Sequence, residues 1–327
     1  MRAVSRSLVA VFVLVAGACT SFGGDDDDEQ TGGGPEAPGT QDASPDAASV
    51  DAGTQAPRCA ATAKFTTMKR VAGLEHATAS NGSATLTADE LTVVFTSSRE
   101  GGNSYRLYSA TRASRDGSFS IPAPVDGLGG LPNTNTPSLS GDGLALYFTA
   151  IQPSWDVYRA SRSRPTDLFG SVTRLGAIDS DVAHELDPFA TSGGTELWFA
   201  SSRTADGGSG SVYHVYRSTF AGASFRPPER VLPADEDDQR CPVPSPDLRT
   251  LFLTRSRPDV NDGGPIIVVG RRDDPGRPFT TFAPVDELDV SPQQYPSWLS
   301  PDECRLYYTR VDGTPLRAEL WVAERTP

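Results

Sequence analysis

From about residue 84 to the C-terminus, apolar and polar residues alternate over runs of four to eight positions, and Gly, Asp or Pro interrupts each run. That period predicts short, half-buried β-strands joined by tight turns. The runs recur in register. They read ATLTADELTVVFTSSR from Ala84, PSLSGDGLALYFTA from Pro137, PFATSGGTELWFASSR from Pro188, PVPSPDLRTLFLTRSR from Pro242 (its core PSPDLRTLFLT begins at Pro244) and PSWLSPDECRLYYTR from Pro296. The turn of each unit holds Asp89, Asp142, Gly193, Asp247 or Asp302, at separations of 53, 51, 54 and 55 residues. Six positions later stands a large apolar residue: Phe95, Phe148, Phe199, Leu253 or Tyr308. A further strand follows (YRLYSATR, WDVYRASR, YHVYRSTF, IIVVGRR, ELWVAER), and then an outer segment such as Phe119–Pro122–Val125–Leu128.

Each unit therefore predicts one four-stranded antiparallel sheet. A lone sheet of this kind cannot bury both faces, so the units must stack. A period slightly above 50 with four strands fits the blades of a propeller. The expected fold is an all-β, five-bladed β-propeller spanning 58–327. The last unit reaches Arg325 without an outer segment, while Phe65, Val71 and Leu74 supply one at the front of the domain. The last blade is thus expected to be closed by an N-terminal strand, which removes an exposed sheet edge. Cys59 precedes that strand and Cys304 follows a turn of the last blade, so both fall on one rim and are expected to form a disulfide in an oxidising compartment. Cys241, opening an inner strand on the opposite rim, is expected to be a buried free thiol.

The first 57 residues read differently. Arg2 and Arg6 precede an apolar run, Leu8 to Ala16, too short to span a bilayer. The run ends in VAGAC, which resembles the bacterial lipobox and implies a signal peptide over 1–18 with lipidation at Cys19. Ala16 stands where that motif favours Leu, and ordinary signal cleavage would leave Cys19 a bystander. Residues 19–57 hold only Phe22 and Val50 as large apolar side chains and are expected to be a disordered acidic tether. Thr20 after the cysteine gives no inner-membrane retention signal, so an outer-membrane anchor, with the domain periplasmic or surface-facing, is expected. The anchor is then the chain's membrane contact.

Composition narrows the partners. The 327 residues include 27 Pro and 31 Gly, and the formal charge is −13, which argues against a nucleic-acid partner, since phosphate binding needs a basic face. The three histidines, His76, His184 and His214, lack metal-ligand spacing, and no metal or cofactor is expected. Three places before each repeat Pro, or its equivalent Ala84, lie Asn81, Thr134, Glu185, Gln239 and Gln293. With Asp187, Asp238, Arg240 and Tyr295 nearby, they are expected to ring one mouth of the central channel as a partner or ligand site.

The units PSLSGDGLALYFT, PSPDLRTLFLT and PSWLSPDECRLYYT resemble the Pro–Ser–x–Ser–x–Asp–Gly repeats of WD40-like propellers of the Tol–Pal periplasmic type. The likeness covers about residues 60–327, and the third unit departs from it at Gly193. It implies a propeller that docks proteins or peptides, here of the cell envelope; the absence of a catalytic constellation and the acidic surface add the expectation of a non-enzymatic monomer. The alternatives are a glycan-binding module, or a five-bladed glycoside hydrolase using Glu185, Asp187 and the acidic run Asp235–Asp238 as rim carboxylates. Serine-nucleophile, phosphate-loop and C-x-x-C motifs are absent from the sequence.

Overall fold

The computed structural model describes residues 58–326 apart from 102–103, 153, 223, 234–236, 257–263 and 290–292. The signal segment, the tether, Cys19, Asp235 and Glu236 lie outside the described residues. The first strand, β1 (Thr67–Arg70), is followed by blade 1, in the order β2 (Asn81–Leu86), β3 (Thr92–Ser97), β4 (Arg106–Thr111) and β5 (Ala123–Pro124). Blade 2 comprises β6 (Asn135–Leu139), β7 (Ala145–Ile151), β8 (Trp155–Ser161) and β9 (Gly170–Arg174). Blade 3 comprises β10 (Glu185–Ala190), β11 (Glu196–Arg203), β12 (Ser209–Thr219) and β13 (Glu229–Arg230). Blade 4 comprises β14 (Gln239–Pro244), β15 (Thr250–Arg255), β16 (Ile266–Arg271) and β17 (Phe282–Pro284). Blade 5 has β18 (Gln293–Leu299), β19 (Arg305–Asp312) and β20 (Arg317–Glu324), and its outer strand is β1, with Thr67 opposite Glu324 and Arg70 opposite Trp321. The chain is a five-bladed β-propeller closed by its N-terminal strand.

The repeated large apolar residue forms the centre of each seam: Phe95, Phe148, Phe199, Leu253 and Tyr308 are all fully buried. The preceding turn is built the same way in four blades. A Ser or Thr hydroxyl donates to the Asp carboxylate (Thr87 to Asp89, Ser140 to Asp142, Ser245 to Asp247, Ser300 to Asp302), which accepts the backbone N–H two residues on. The residue after the turn position, Asp in four blades and Gly193 in blade 3, is left-handed in every blade, at φ 61° for Glu90, 69° for Gly143, 64° for Gly194, 58° for Leu248 and 57° for Glu303. Side-chain capping by Asp offsets the cost of that conformation where the residue is not Gly.

A second repeated device holds the turn to the outer strand. The Arg directly after the third strand donates Nε–H to the carbonyl of the left-handed residue: Arg112 to Glu90 at 2.7 Å, Arg162 to Gly143 at 2.8 Å, Arg272 to Leu248 at 2.8 Å and Arg325 to Glu303 at 2.7 Å. The same guanidinium lies over the Phe that leads into the outer strand, 4.5 Å from Phe119, 4.3 Å from Phe169, 4.3 Å from Phe279 and 5.0 Å from Phe65. Blade 3 departs here as well: Phe220 takes the Arg position and packs on Phe225 at 5.2 Å. A disulfide joins Cys59 to Cys304. At the last blade's two seams, buried Glu90 meets Arg112, Arg115 and Arg305, and buried Glu303 meets Arg58 and Arg325.

Candidate functional site

Every inner strand carries a β-bulge, with the ladder broken between Gly82 and Thr85, Asn135 and Ser138, Leu186 and Phe189, Arg240 and Val243, and Pro296 and Trp298. In four blades the bulge residue is not glycine yet is left-handed: Ser83 at 51°, Thr136 at 42°, Asp187 at 54° and Cys241 at 52°. These four residues line the channel. Three of their backbones are held from the preceding blade. Thr309 Oγ1 accepts the Ser83 N–H at 2.9 Å, Thr96 Oγ1 accepts the Thr136 N–H at 3.1 Å, and Asp187 Oδ2 accepts the Cys241 N–H at 3.2 Å. A strained bulge re-aims a side chain, and here it does so around one axis.

The residues singled out from the sequence lie two positions earlier and are placed differently. Asn81, Thr134, Glu185 and Gln239 are buried, and Gln293 is partly exposed. The segment returning from the preceding blade's outer strand covers them. Asn81 donates to the Leu74 carbonyl at 3.1 Å and accepts from Ser97 at 2.7 Å and Arg99 at 3.1 Å. Glu185 accepts from Ser201 at 2.7 Å, from Arg203 at 2.9 Å and from the Ser180 N–H at 3.1 Å. Thr134 Oγ1 accepts the Leu107 N–H at 3.3 Å. In blade 5 Gln294, not Gln293, reaches back to the Leu288 carbonyl.

The mouth at the inner-strand starts is lined chiefly by blades 3, 4 and 5. Asp187 pairs with Arg240 at 3.3 Å, and the Arg240 guanidinium lies 4.6 Å from the Tyr213 ring. Asp238 accepts the Tyr213 N–H at 2.8 Å, and Tyr295 donates to Gln293 at 3.1 Å. Burial works against the Arg240 charge, but Asp187, Cys241 and Asp238 outweigh it and hold the guanidinium more firmly protonated than in water. Burial, then Asp187, pushes the Cys241 thiol well up. A thiol so held is a poor nucleophile. The expected burial of Cys241 is corrected in one respect: it is a free thiol but only half-buried, because the bulge turns it into the channel. Phe189 closes the axis. Projecting from blade 3, it packs against the core clusters of blades 5 and 1, of blades 4 and 5, and of blades 3 and 4, and it lines the cavities at both ends of the channel.

One group among the described residues has the make-up of a cation site. Asp156, Asp179 and Glu185 bring carboxylate oxygens within 4.8 Å of one another at the seam of blades 2 and 3. Arg174 lies 3.1 Å from Asp156 and also pairs with Asp179. Burial, and then the neighbouring carboxyls, push Asp156 and Asp179 each up to about 6. With Arg174 between them, the cluster is suited to sharing protons. His184 accepts the Trp155 N–H at 3.3 Å through Nδ1 and so ties the start of blade 3 to β8 of blade 2, while His76 accepts the Ala79 N–H at 3.0 Å and serves a turn.

No family model and no curated protein matches the sequence. Solved structures do match. TolB from Acinetobacter baumannii is 17% identical with a TM-score of 0.47 over 75% of this chain, and this chain covers 54% of that one. A GH62 hydrolase in complex with xylotriose is 10% identical with a TM-score of 0.52, covering 78% of this chain and 95% of that one. The α-L-arabinofuranosidase PaAbf62A from Podospora anserina is 13% identical with a TM-score of 0.51, covering 79% and 96%. What they share is the fold. At these identities a propeller carries either chemistry or none, so function rests on the mouth itself.

The sequence did not reveal Phe189, the four bulge residues as a set, or the cluster of Asp156 and Asp179 with Glu185. A signal for the bulges was present: three of the four stand directly before the repeat Pro. The carboxylate cluster had no such signal, since Asp156 lies on β8 and its partners belong to the next seam.

Proposed function

We propose that the propeller is a non-enzymatic module that docks a protein or peptide at the inner-strand-start mouth, held at the outer membrane by a lipid on Cys19. The observation that carries this reading is the blind form of the mouth. Phe189 floors it, and the partly exposed Arg240 and Tyr295 offer a fixed charge and an aromatic ring, groups favoured in protein recognition, while the buried Tyr213 ring backs the Arg240 guanidinium. Hydrolysis would need an accessible acid and base flanking a bound sugar. Glu185 is instead fully buried under three hydrogen bonds, and Asp187 is taken up by Arg240 and the Cys241 N–H.

The test is cross-linking in intact cells followed by purification of the tagged chain, beside the doubly substituted Arg240→Ala, Tyr295→Ala chain. A protein recovered with the native chain and lost with the variant supports docking at this mouth. Recovery equal in both removes the mouth from the proposal. Release of a reducing sugar from an arabinan, abolished by Asp187→Asn, would replace it with the hydrolase reading. Mass spectrometry of the mature N-terminus tests the anchor: a diacylglyceryl Cys19 is expected, and an unmodified one refutes it.

A further inference from the structure

The channel has a second end, and its chemistry differs. Past Phe189 the wall turns apolar, with Leu86, Leu139, Ala190, Pro244 and Trp298, one residue from each inner strand. The lip is formed by the residue just before each turn position: Ala88, Gly141, Ser192, Pro246 and Pro301. All are small or cyclic, and none except Ser192 carries a polar side-chain group to satisfy. Four of the five are exposed and Gly141 is half-buried. The lip residues are thus free of the turn's hydrogen bonds, which run through the flanking Ser, Thr and Asp.

Charge around this lip is uneven. Asp302 pairs with Arg115 at 2.9 Å, and Asp247 with Arg58 at 2.9 Å. Asp89 and Asp142, beside the lip in blades 1 and 2, are exposed and make no salt bridge among the described residues. The Ser140 hydroxyl and then the Leu144 N–H hold the Asp142 carboxyl below the usual carboxylate range, so it stays ionised. The blade 1 and 2 side of an apolar socket therefore carries two exposed carboxylates without a salt-bridge partner among the described residues, on a chain of formal charge −13.

We propose that this turn-side mouth is a second binding site, which receives one apolar side chain of a partner peptide whose neighbouring residues are Lys or Arg. The apolar side chain fills the socket above Phe189, losing water from both surfaces. The adjacent cation lies over Asp89 and Asp142 and sets the direction of entry. Because Phe189 closes the axis, this site is separate from the mouth in the proposed function, and either can exist without the other.

The probes are synthetic peptides Lys-Arg-X-Arg-Lys with X as Leu, Ile, Met, Phe or Trp, beside Lys-Arg-Ser-Arg-Lys and Glu-Glu-Leu-Glu-Glu. Titration is followed by calorimetry and by the fluorescence of Trp298, read as the difference from Trp298→Phe. The expected result is binding of at least one apolar basic peptide, weaker by about tenfold or more for the Ser and acidic peptides. Ser192→Trp and Ala88→Trp, on the exposed lip, should each abolish it by filling the socket. Asp89→Asn with Asp142→Asn keeps the turn acceptors and should weaken it by about fivefold, with a smaller loss at high salt. Binding should survive Arg240→Ala with Tyr295→Ala, which separates this site from the other mouth. No binding by any of the five apolar peptides overturns the proposal. So does equal binding of the Ser peptide, or binding indifferent to both Trp substitutions.

Discussion

The two rims of this propeller are built on opposite plans. On the turn rim, the left-handed residue recurs in all five blades, and the Ser/Thr–Asp hydrogen bond and the Arg–Phe contact recur in four of them. On the strand-start rim each blade holds a different residue directly before the repeat Pro or its equivalent Ala84: Ser83, Thr136, Asp187, Cys241 or Tyr295. Repetition follows where a position serves the blade, because every blade has the same turn to hold. Variety follows where five positions face one shared space and need not be alike. Blade 3 sharpens the contrast: it lacks the turn Asp and the latch Arg, yet it supplies Glu185, Asp187 and Phe189. The socket within the turn rim, formed by the lip residues between the repeated ones, follows the same rule.

The comparison breaks most readily at the ring's closure. Deleting residues 58–74 removes β1, Cys59, Phe65 and the last Arg–Phe contact together. Losing a buried Phe alone costs about 3–5 kcal/mol, so the truncated chain is expected to be insoluble or to melt more than about 10 °C lower. A melting temperature unchanged by the deletion would remove the shared last blade from the account. A smaller effect is expected from Cys304→Ser. The bond spans 245 residues, and a loop of that length contributes about 5 kcal/mol in the chain-entropy model. Differential scanning fluorimetry should show a loss of several degrees in the variant, and a like loss in the native chain under reductant.

The carboxylate seam gives the smallest effect and the most specific one. Asp156 and Asp179 are pushed up to about 6, above their unfolded values near 3.9. A carboxyl that binds its proton more tightly when folded favours the fold most below its unfolded pKa, and that advantage is lost as pH rises through about 6. Melting temperature should therefore fall between pH 4 and pH 7. Asp156→Asn should flatten that fall and raise the melting temperature at pH 8 by about 2–4 °C. A variant that keeps the native slope would show that the seam does not titrate in this range.

The sequence made the blades legible because their chemistry is local. A turn Asp, a large residue six positions later and an outer Phe all lie within one unit, so counting along the chain finds them. The Arg112, Arg162, Arg272 and Arg325 latches were visible as the last residue of the segments YRLYSATR, WDVYRASR, IIVVGRR and ELWVAER, but pairing them with Phe needed the fold. The mouth was less legible. A two-residue strand period places Asn81 and Ser83 on one face. That period carries no information about the segment from the preceding blade that covers Asn81 while Ser83 remains in the channel. The cluster of Asp156, Asp179 and Glu185 is assembled across a seam from β8, a connecting segment and β10, and no spacing in the chain announces it.

The division between a rim that holds the fold and a rim that is free to vary is tested most directly by one set of melting temperatures. Arg112→Ala, Arg162→Ala and Arg272→Ala are compared with Ser83→Ala, Thr136→Ala and Tyr295→Ala. Each latch Arg loses a hydrogen bond and an aromatic contact, together about 1–3 kcal/mol, and its variant should melt about 3–8 °C lower. The mouth variants should stay within about 2 °C of the native chain. Mouth variants that melt as low as the latch variants would contradict the account, since the variable rim would then carry the fold as much as the repeated one does.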